Sequence, residues 1–307
     1  MQARLIAYIP EGAAIARIIS RGDGLRVGRG EDCDLCLAHP SISRSHAELQ
    51  PTVDGGWRLH DLDSKNGTFV NGARVAHEKL GSGAWLRFGD VHCEFTTLDA
   101  QAAEAQVRRW RDRRTQATAF TARIDALGKP DPQTPGRSQA LLDHSLRAVV
   151  ELAQCSRGFV LVAEGDRYRI AASLVLDPSL ASADGFGGSH GAVTRALTQG
   201  EPVVFNDIGQ DAWLSSRDSV AKSGLRTLVA LPLLDGDRPL GVIYADRREA
   251  GVPLTTLDVE LLQAFAERCA LWLTAQQEAG ADARPPVAPP GADEWPALLA
   301  GHSAATR

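Results

Sequence analysis

Asp61-Leu62-Asp63-Ser64-Lys65-Asn66-Gly67-Thr68-Phe69-Val70-Asn71-Gly72 decides how the first third of the chain is read. Asn66-Gly67 and Asn71-Gly72 mark tight turns on either side of the short run Thr68–Val70. A strand that brief, closed by turns at both ends, belongs to an all-β unit. Outward from it, short apolar or alternating runs recur at Arg4–Ile9, Ala13–Ile19, Leu25–Gly28, Leu35–Leu37, His46–Gln50, Trp57–Leu59, Ala84–Phe88 and Val91–Phe95. Gly22-Asp23-Gly24, Asp54-Gly55-Gly56 and Gly81-Ser82-Gly83 separate several of them. Many short strands at this spacing predict a sandwich or barrel over residues 1–99.

The texture then changes. Ala100 to Leu127 holds no Gly or Pro and is rich in Ala, Gln and Arg, which predicts a helix. Ala103, Val107, Trp110, Ala117 and Ile124 follow a 3-4 spacing, but Arg114 and Thr121 interrupt the seam. Pro130, Pro132 and Pro135 end any continuous helix, so residues 100–137 form a helix and a Pro-rich linker. Residues 138–278 mix helix and strand. A helix at Leu141–Cys155 leads to strands at Gly158–Ala163 and Tyr168–Leu174, and a second helix covers Ala192–Thr198. Strands at Pro202–Phe205, Thr227–Leu234 and Pro239–Ala245 follow, and a long helix, Leu257–Gln277, closes the region. Hairpins with flanking helices predict an α+β domain. Residues 279–307 are rich in Ala, Pro and Gly with little to bury, and read as a disordered tail.

The bulk properties narrow the function. The 307 residues suffice for about two domains. A net charge of −5 gives no global attraction to nucleic acid or an anionic membrane. No apolar run reaches the roughly 18 residues of a membrane span, and the N-terminus lacks a signal-peptide core. Five scattered cysteines are not a disulfide framework, which predicts a reducing, cytoplasmic location.

Three clusters of the β unit share one chemistry. Gly28-Arg29-Gly30 sets a guanidinium on a loop whose glycines admit a ligand close to backbone. Ser41-Ile42-Ser43-Arg44-Ser45-His46 adds hydroxyls and a second Arg, and Lys65, Asn66 and Asn71 come from the loop quoted above. A phosphate ester of charge about −1.5 to −2 needs such a fork of Arg, hydroxyl and amide donors. The ordered pattern G-R, S-x-S-R-x-H-A-x-L and W-x-L-x-D-L-x-S-x-N-G-T-F-V-N-G resembles the forkhead-associated (FHA) family over residues 3–97. The resemblance implies an eleven-stranded β-sandwich whose loops bind phosphothreonine peptides. By the same resemblance Arg29 clamps the phosphate, Ser43 hydrogen-bonds it and Asn66 holds the peptide backbone. Arg44 and Lys65 assist, and Thr68 joins the phosphopeptide-binding set. Gly28, His46, Gly67 and Asn71 are structural.

Residues 138–277 resemble a GAF domain in Gly187–Leu197, Gly200–Val204, Leu228–Leu233, Pro239–Tyr244 and Leu254–Leu262. That resemblance implies an α+β fold with a central antiparallel sheet, a small-molecule ligand of unknown identity in a pocket, and homodimerisation through GAF and linker helices. The N-K…F-x-x-x-D-E signature of cyclic-nucleotide-binding relatives reads here as Asp246-Arg247…Leu254-x-x-x-Asp258-Val259, which argues against that ligand and leaves an Arg247–Asp258 ion pair as the expectation. His190 reads as a solvated loop histidine, Cys155 sits at a helix end outside any chromophore-attachment context, and the Asp177–Gly191 loop is long enough for a lid.

Other signals are absorbed. Cys33-Asp34-Leu35-Cys36 lacks the second ligand pair of a zinc site. Arg108–Arg114 spreads its basic residues around a helix, as a solvated or acidic-partner-facing surface does. No P-loop, kinase loop, nucleophile elbow or helix-turn-helix motif is present. The expectation is a non-enzymatic signalling adaptor without metal or resident cofactor. Its partner is a phosphothreonine protein, either a Ser/Thr kinase or a kinase substrate, and neither nucleic acid nor membrane. An accessory sensory subunit of transcriptional control is the alternative, and a cryptic GAF enzyme ranks below it.

Overall fold

A computed structural model describes residues 2–10, 12–20, 22–126, 137–164, 167–175, 188–206, 225–279 and 290. The chain divides into two compact units, Met1–Asp112 and Arg113–Arg307.

The first unit contains β1 (Gln2–Tyr8), β2 (Ile15–Ile19), β3 (Leu25–Gly28), β4 (Leu35–Cys36), β5 (Ala47–Pro51), β6 (Trp57–Asp61), β7 (Thr68–Val70), β8 (Ala73–Val75), β9 (His77–Leu80), β10 (Ala84–Phe88) and β11 (Val91–Leu98). They form two sheets, one in the order β2-β1-β11-β10-β7-β8 and the other β4-β3-β5-β6-β9. Alternation along each strand sends one set of side chains inward. Leu5, Leu49, Trp57, Leu59, Phe88 and Phe95 meet there and are almost wholly buried. Trp57 and Phe95 contact edge to face, with centroids 6.2 Å apart. The fold is thus the sandwich. β8 and β9 are not among the strands that the sequence predicts, for a physical reason. Each is an edge strand, and Ala73, Arg74, His77, Glu78 and Lys79 all face solvent, so no buried face imposes an apolar alternation.

α1 (Ala100–Ala126) starts where Asp99 Oδ1 accepts from the Ala102 amide at 2.7 Å, an N-cap. Ala103 and Ala117 are buried along it, whereas Val107 of the interrupted seam is exposed.

The second unit holds α2 (Arg137–Leu152), β12 (Arg157–Glu164), β13 (Arg167–Val175), α3 (His190–Gln199), β14 (Val203–Asn206), β15 (Thr227–Asp235), β16 (Arg238–Arg247) and α4 (Thr256–Ala279). The sheet runs β13-β12-β16-β15-β14 with every pair antiparallel. Gly158 faces Leu146 and Val150 of α2, whereas Phe159 packs in the cluster that includes Val193 and Leu197 of α3. Successive strand residues point to opposite faces, so α2 and α3 cover opposite sides of the sheet. α4 packs beside α2 and against β15.

Two expectations fail here. Asp258 does not pair with Arg247: its Oδ1 takes Arg113 Nη1 of α1 at 2.7 Å. Its Oδ2 accepts the Thr255 amide at 2.9 Å, closing a capping box at the start of α4. The Arg247 guanidinium instead donates to the carbonyls of Gln154 and Val252. Arg247 ends β16, and one carbonyl from the loop after it and one from the α2–β12 connection take its head, so the Asp258 carboxylate is left to Arg113. His190 is not a loop residue but the first residue of α3, half-buried, and Ser189 caps that helix by accepting the Ala192 amide. The glycines around it masked the helix start. The Pro-rich linker, most of the Asp177–Gly191 loop and nearly all of the C-terminal tail lie outside the described residues.

Candidate functional site

Three loops at one end of the first unit's sandwich carry the predicted phosphate-binding residues, and their backbones are laced together. Arg29 and Gly30 follow β3, and their amides donate to the Ser43 and Arg44 carbonyls, both at 2.9 Å. That approach requires glycine at position 28. A Cβ there would lie 2.1 Å from the Arg44 carbonyl oxygen and 2.7 Å from Cys33 Sγ. The Cys33 and Cys36 thiols donate to the Arg44 and Arg29 carbonyls, so the CxxC pair backs these loops.

His46 joins the second loop to the third. Its Nδ1 accepts the Ser43 amide at 3.1 Å, which leaves Nε2–H to donate to the Gly67 carbonyl at 3.2 Å. The ring is fully buried and stacks edge-on to Phe88. Burial pushes its pKa below the ordinary 6.5, against the opposing pull of the Gly67 carbonyl and Asp61. Gly67 has φ 83°, and a Cβ there would also strike the Arg74 guanidinium. Asn71 has φ 49° and holds Trp85 through both its amide and its side-chain oxygen.

Asp61 is the organiser that sequence reasoning missed. Oδ1 accepts from the Ser64 and Thr68 hydroxyls and Oδ2 from the Ser64 amide. Burial alone would raise its pKa, but these hydrogen bonds outweigh burial and hold the carboxyl below its ordinary value. Thr68 is consequently a correction. It is fully buried and bonded inward at 2.6 Å, so it shapes the loop and does not face a ligand. It reads as a surface hydroxyl in the sequence because a run as short as β7 does not reveal which of its residues point inward. The one signal for Asp61 was its spacing from Ser64 and Thr68.

The remaining candidates face outward. Lys65 donates its amide to Ser43 Oγ at 3.0 Å, leaving the Ser43 hydroxyl proton for a ligand. Asn66 Nδ2 donates to the Ser41 carbonyl at 2.7 Å, and its Oδ1 has no protein partner among the described residues. Arg29 is anchored by Nε to the Ile42 carbonyl at 3.3 Å. Both of its Nη groups, and the heads of Arg44 and Lys65, lack ion-pair partners among the described residues. A depression of about 520 Å³ is lined by Asp32, Ser43, Arg44 and Ser45. Three cations and a free hydroxyl on a braced backbone are equipped to bind a dianion.

A folded-state pKa below the unfolded one makes the unfolded chain take up the His46 proton first. The stabilisation is therefore complete above pH 6.5 and is lost as pH falls through the folded value. We expect the thermal midpoint of the first unit to drop as pH is lowered from 7.5 to 5. His46→Gln lowers the midpoint at neutral pH and flattens this dependence; an equally steep curve in the variant refutes the assignment.

The FHA domain model matches residues 25–89 and the GAF domain model residues 137–273. The chain is 34% identical over 88 residues to the FHA domain-containing protein FhaB of Mycolicibacterium smegmatis, a match covering 28% of this chain and 56% of FhaB. It is 38% identical over 92 residues to the ABC transporter ATP-binding/permease protein Rv1747 of Mycobacterium tuberculosis, covering 30% of this chain and only 9% of the transporter. The crystal structure of the FhaA FHA domain complexed with the intracellular domain of Rv3910 matches at 30% identity and TM-score 0.27, over 30% of this chain and 98% of that one. Sandwich, loops and family models together identify the chain as an FHA domain followed by a GAF domain.

Proposed function

We propose that this protein is a phosphothreonine-dependent signalling adaptor, in which the FHA domain recognises a phosphorylated partner and the GAF domain serves as a sensory or dimerisation module. The observation that carries the proposal is the convergence of Arg29, Ser43 and Asn66 on loops braced from beneath by His46 and Asp61. Phosphate recognition needs donors held in place before the ligand arrives, since ordering long side chains on binding costs affinity. Here the Arg29 and Lys65 amides and the Asn66 side chain are each tied by a hydrogen bond to the Ser41–Ser43 stretch. The proposed partner is a Ser/Thr kinase or its substrate, and the adaptor works by binding, with no catalytic step. In this reading the α1 segment between the two domain matches is the route of coupling.

The test is a titration of the full chain with phosphothreonine peptides, followed by fluorescence polarisation. Binding is expected for a subset of phosphothreonine sequences. It should fall by at least about a hundredfold when phosphothreonine becomes threonine, the scale of losing more than one charge-assisted hydrogen bond. Equal binding of phosphorylated and plain peptides refutes the proposal.

A further inference from the structure

Asp32 is the one carboxylate that lines the depression beside Ser43. It comes from the same loop as Arg29, and the absence of a side chain at residue 30 leaves room for it. A Cβ on Gly30 would lie 2.4 Å from Asp32 Oδ1 and 3.1 Å from the Arg44 carbonyl oxygen. Asp32 is exposed and has no hydrogen bond or ion pair among the described residues, unlike Asp34, which takes the Arg26 amide, and Asp61. A lone carboxylate at the rim of a site built for a dianion works against that ligand. Two like charges a few ångströms apart repel by roughly 1 kcal/mol even in water-like surroundings. The repulsion becomes an asset if the ligand also carries a cation.

We propose that Asp32 makes the site selective for phosphothreonine peptides bearing Lys or Arg at one position flanking the phosphothreonine. This rests on the phosphopeptide reading above and gives its ligand a chemical class. A basic side chain next to the phosphate meets Asp32 across the depression while the phosphate meets Arg29 and Ser43. Acidic flanks meet an unpaired carboxylate and are rejected, so the residue supplies specificity through repulsion as well as attraction. Arg44, on the same depression, does not remove this effect, because it makes no ion pair with Asp32 among the described residues.

A phosphothreonine peptide library with randomised flanks, captured on the full chain and sequenced, tests the idea. Lys and Arg are expected to be enriched about three- to fivefold at one position, the scale of an exposed ion pair. Asp32→Asn should retain phosphopeptide capture and lose the enrichment. Asp32→Lys should turn the preference towards Asp and Glu at the same position. Both changes are at an exposed side chain, and retained capture reports an intact site. Capture by the wild type with no basic preference, or an unchanged preference in Asp32→Asn, overturns the role of Asp32 while leaving phosphothreonine recognition standing. Failure of the wild type to capture any phosphorylated peptide overturns both.

Discussion

Arg157→Met is expected to destabilise the GAF domain by about 3–5 kcal/mol, the cost of leaving a buried charge without its partner. Arg157 and Asp246 sit directly opposite on β12 and β16, and both are almost wholly buried. Arg157 Nε donates to Asp246 Oδ1 at 2.6 Å, and a terminal nitrogen reaches Oδ2 at 3.4 Å. The Tyr244 hydroxyl donates to Oδ2 at 2.8 Å and accepts the Ser189 amide at 2.9 Å. The network therefore ties the middle of the sheet to the cap of α3. Desolvation raises the Asp246 pKa even with Arg157 opposing it, a sign of how unfavourable the lone carboxylate is in this place. Single domains have about 5–15 kcal/mol in total, so the variant should unfold early in urea. The double variant R157M/D246N, which removes the orphaned charge, should recover part of the loss. A single variant within about 1 kcal/mol of the wild type, far below the cost of an orphaned buried charge, contradicts this account.

Arg29→Ala should weaken phosphothreonine-peptide binding by about thirtyfold or more, since removing one member of a charged hydrogen-bonded pair costs about 2–5 kcal/mol. The fold should be untouched. The side chain is exposed, its single protein bond is to the Ile42 carbonyl, and the backbone bond from the Arg29 amide to Ser43 survives the substitution. Isothermal titration together with thermal unfolding separates the two effects. A wild-type midpoint with lost binding supports Arg29 as the phosphate clamp; unchanged affinity removes it from the site.

These two substitutions differ in how much of their rationale is legible in the order of residues. Arg29, Ser43 and Asn66 lie in short polar motifs whose turns are set by residues within a few positions, and local chemistry of that kind is written directly in the chain. The CxxC pair follows the first of these motifs and Asp61 lies in the third, yet what they hold is a carbonyl or hydroxyl elsewhere in the loops. Their roles follow only from the folded arrangement. Edge strands β8 and β9 escaped because an exposed strand has no apolar face to betray it.

By itself the sequence determined the two-domain plan, the all-β character of the first third, and the α+β character of the second half. All of these follow from turn residues and hydrophobic period, which act over a few residues at a time. Tertiary structure alone decided which side each residue faces and which distant partner it meets. Thr68 turned inward to Asp61, Asp258 found Arg113 across 145 residues of chain, and Arg157 met Asp246 across 89. Side chains alternate along a strand with period two, so a single step of register would have moved each strand residue among them to the opposite face. That register is set by the packing of the whole sheet, and no local stretch of residues contains it.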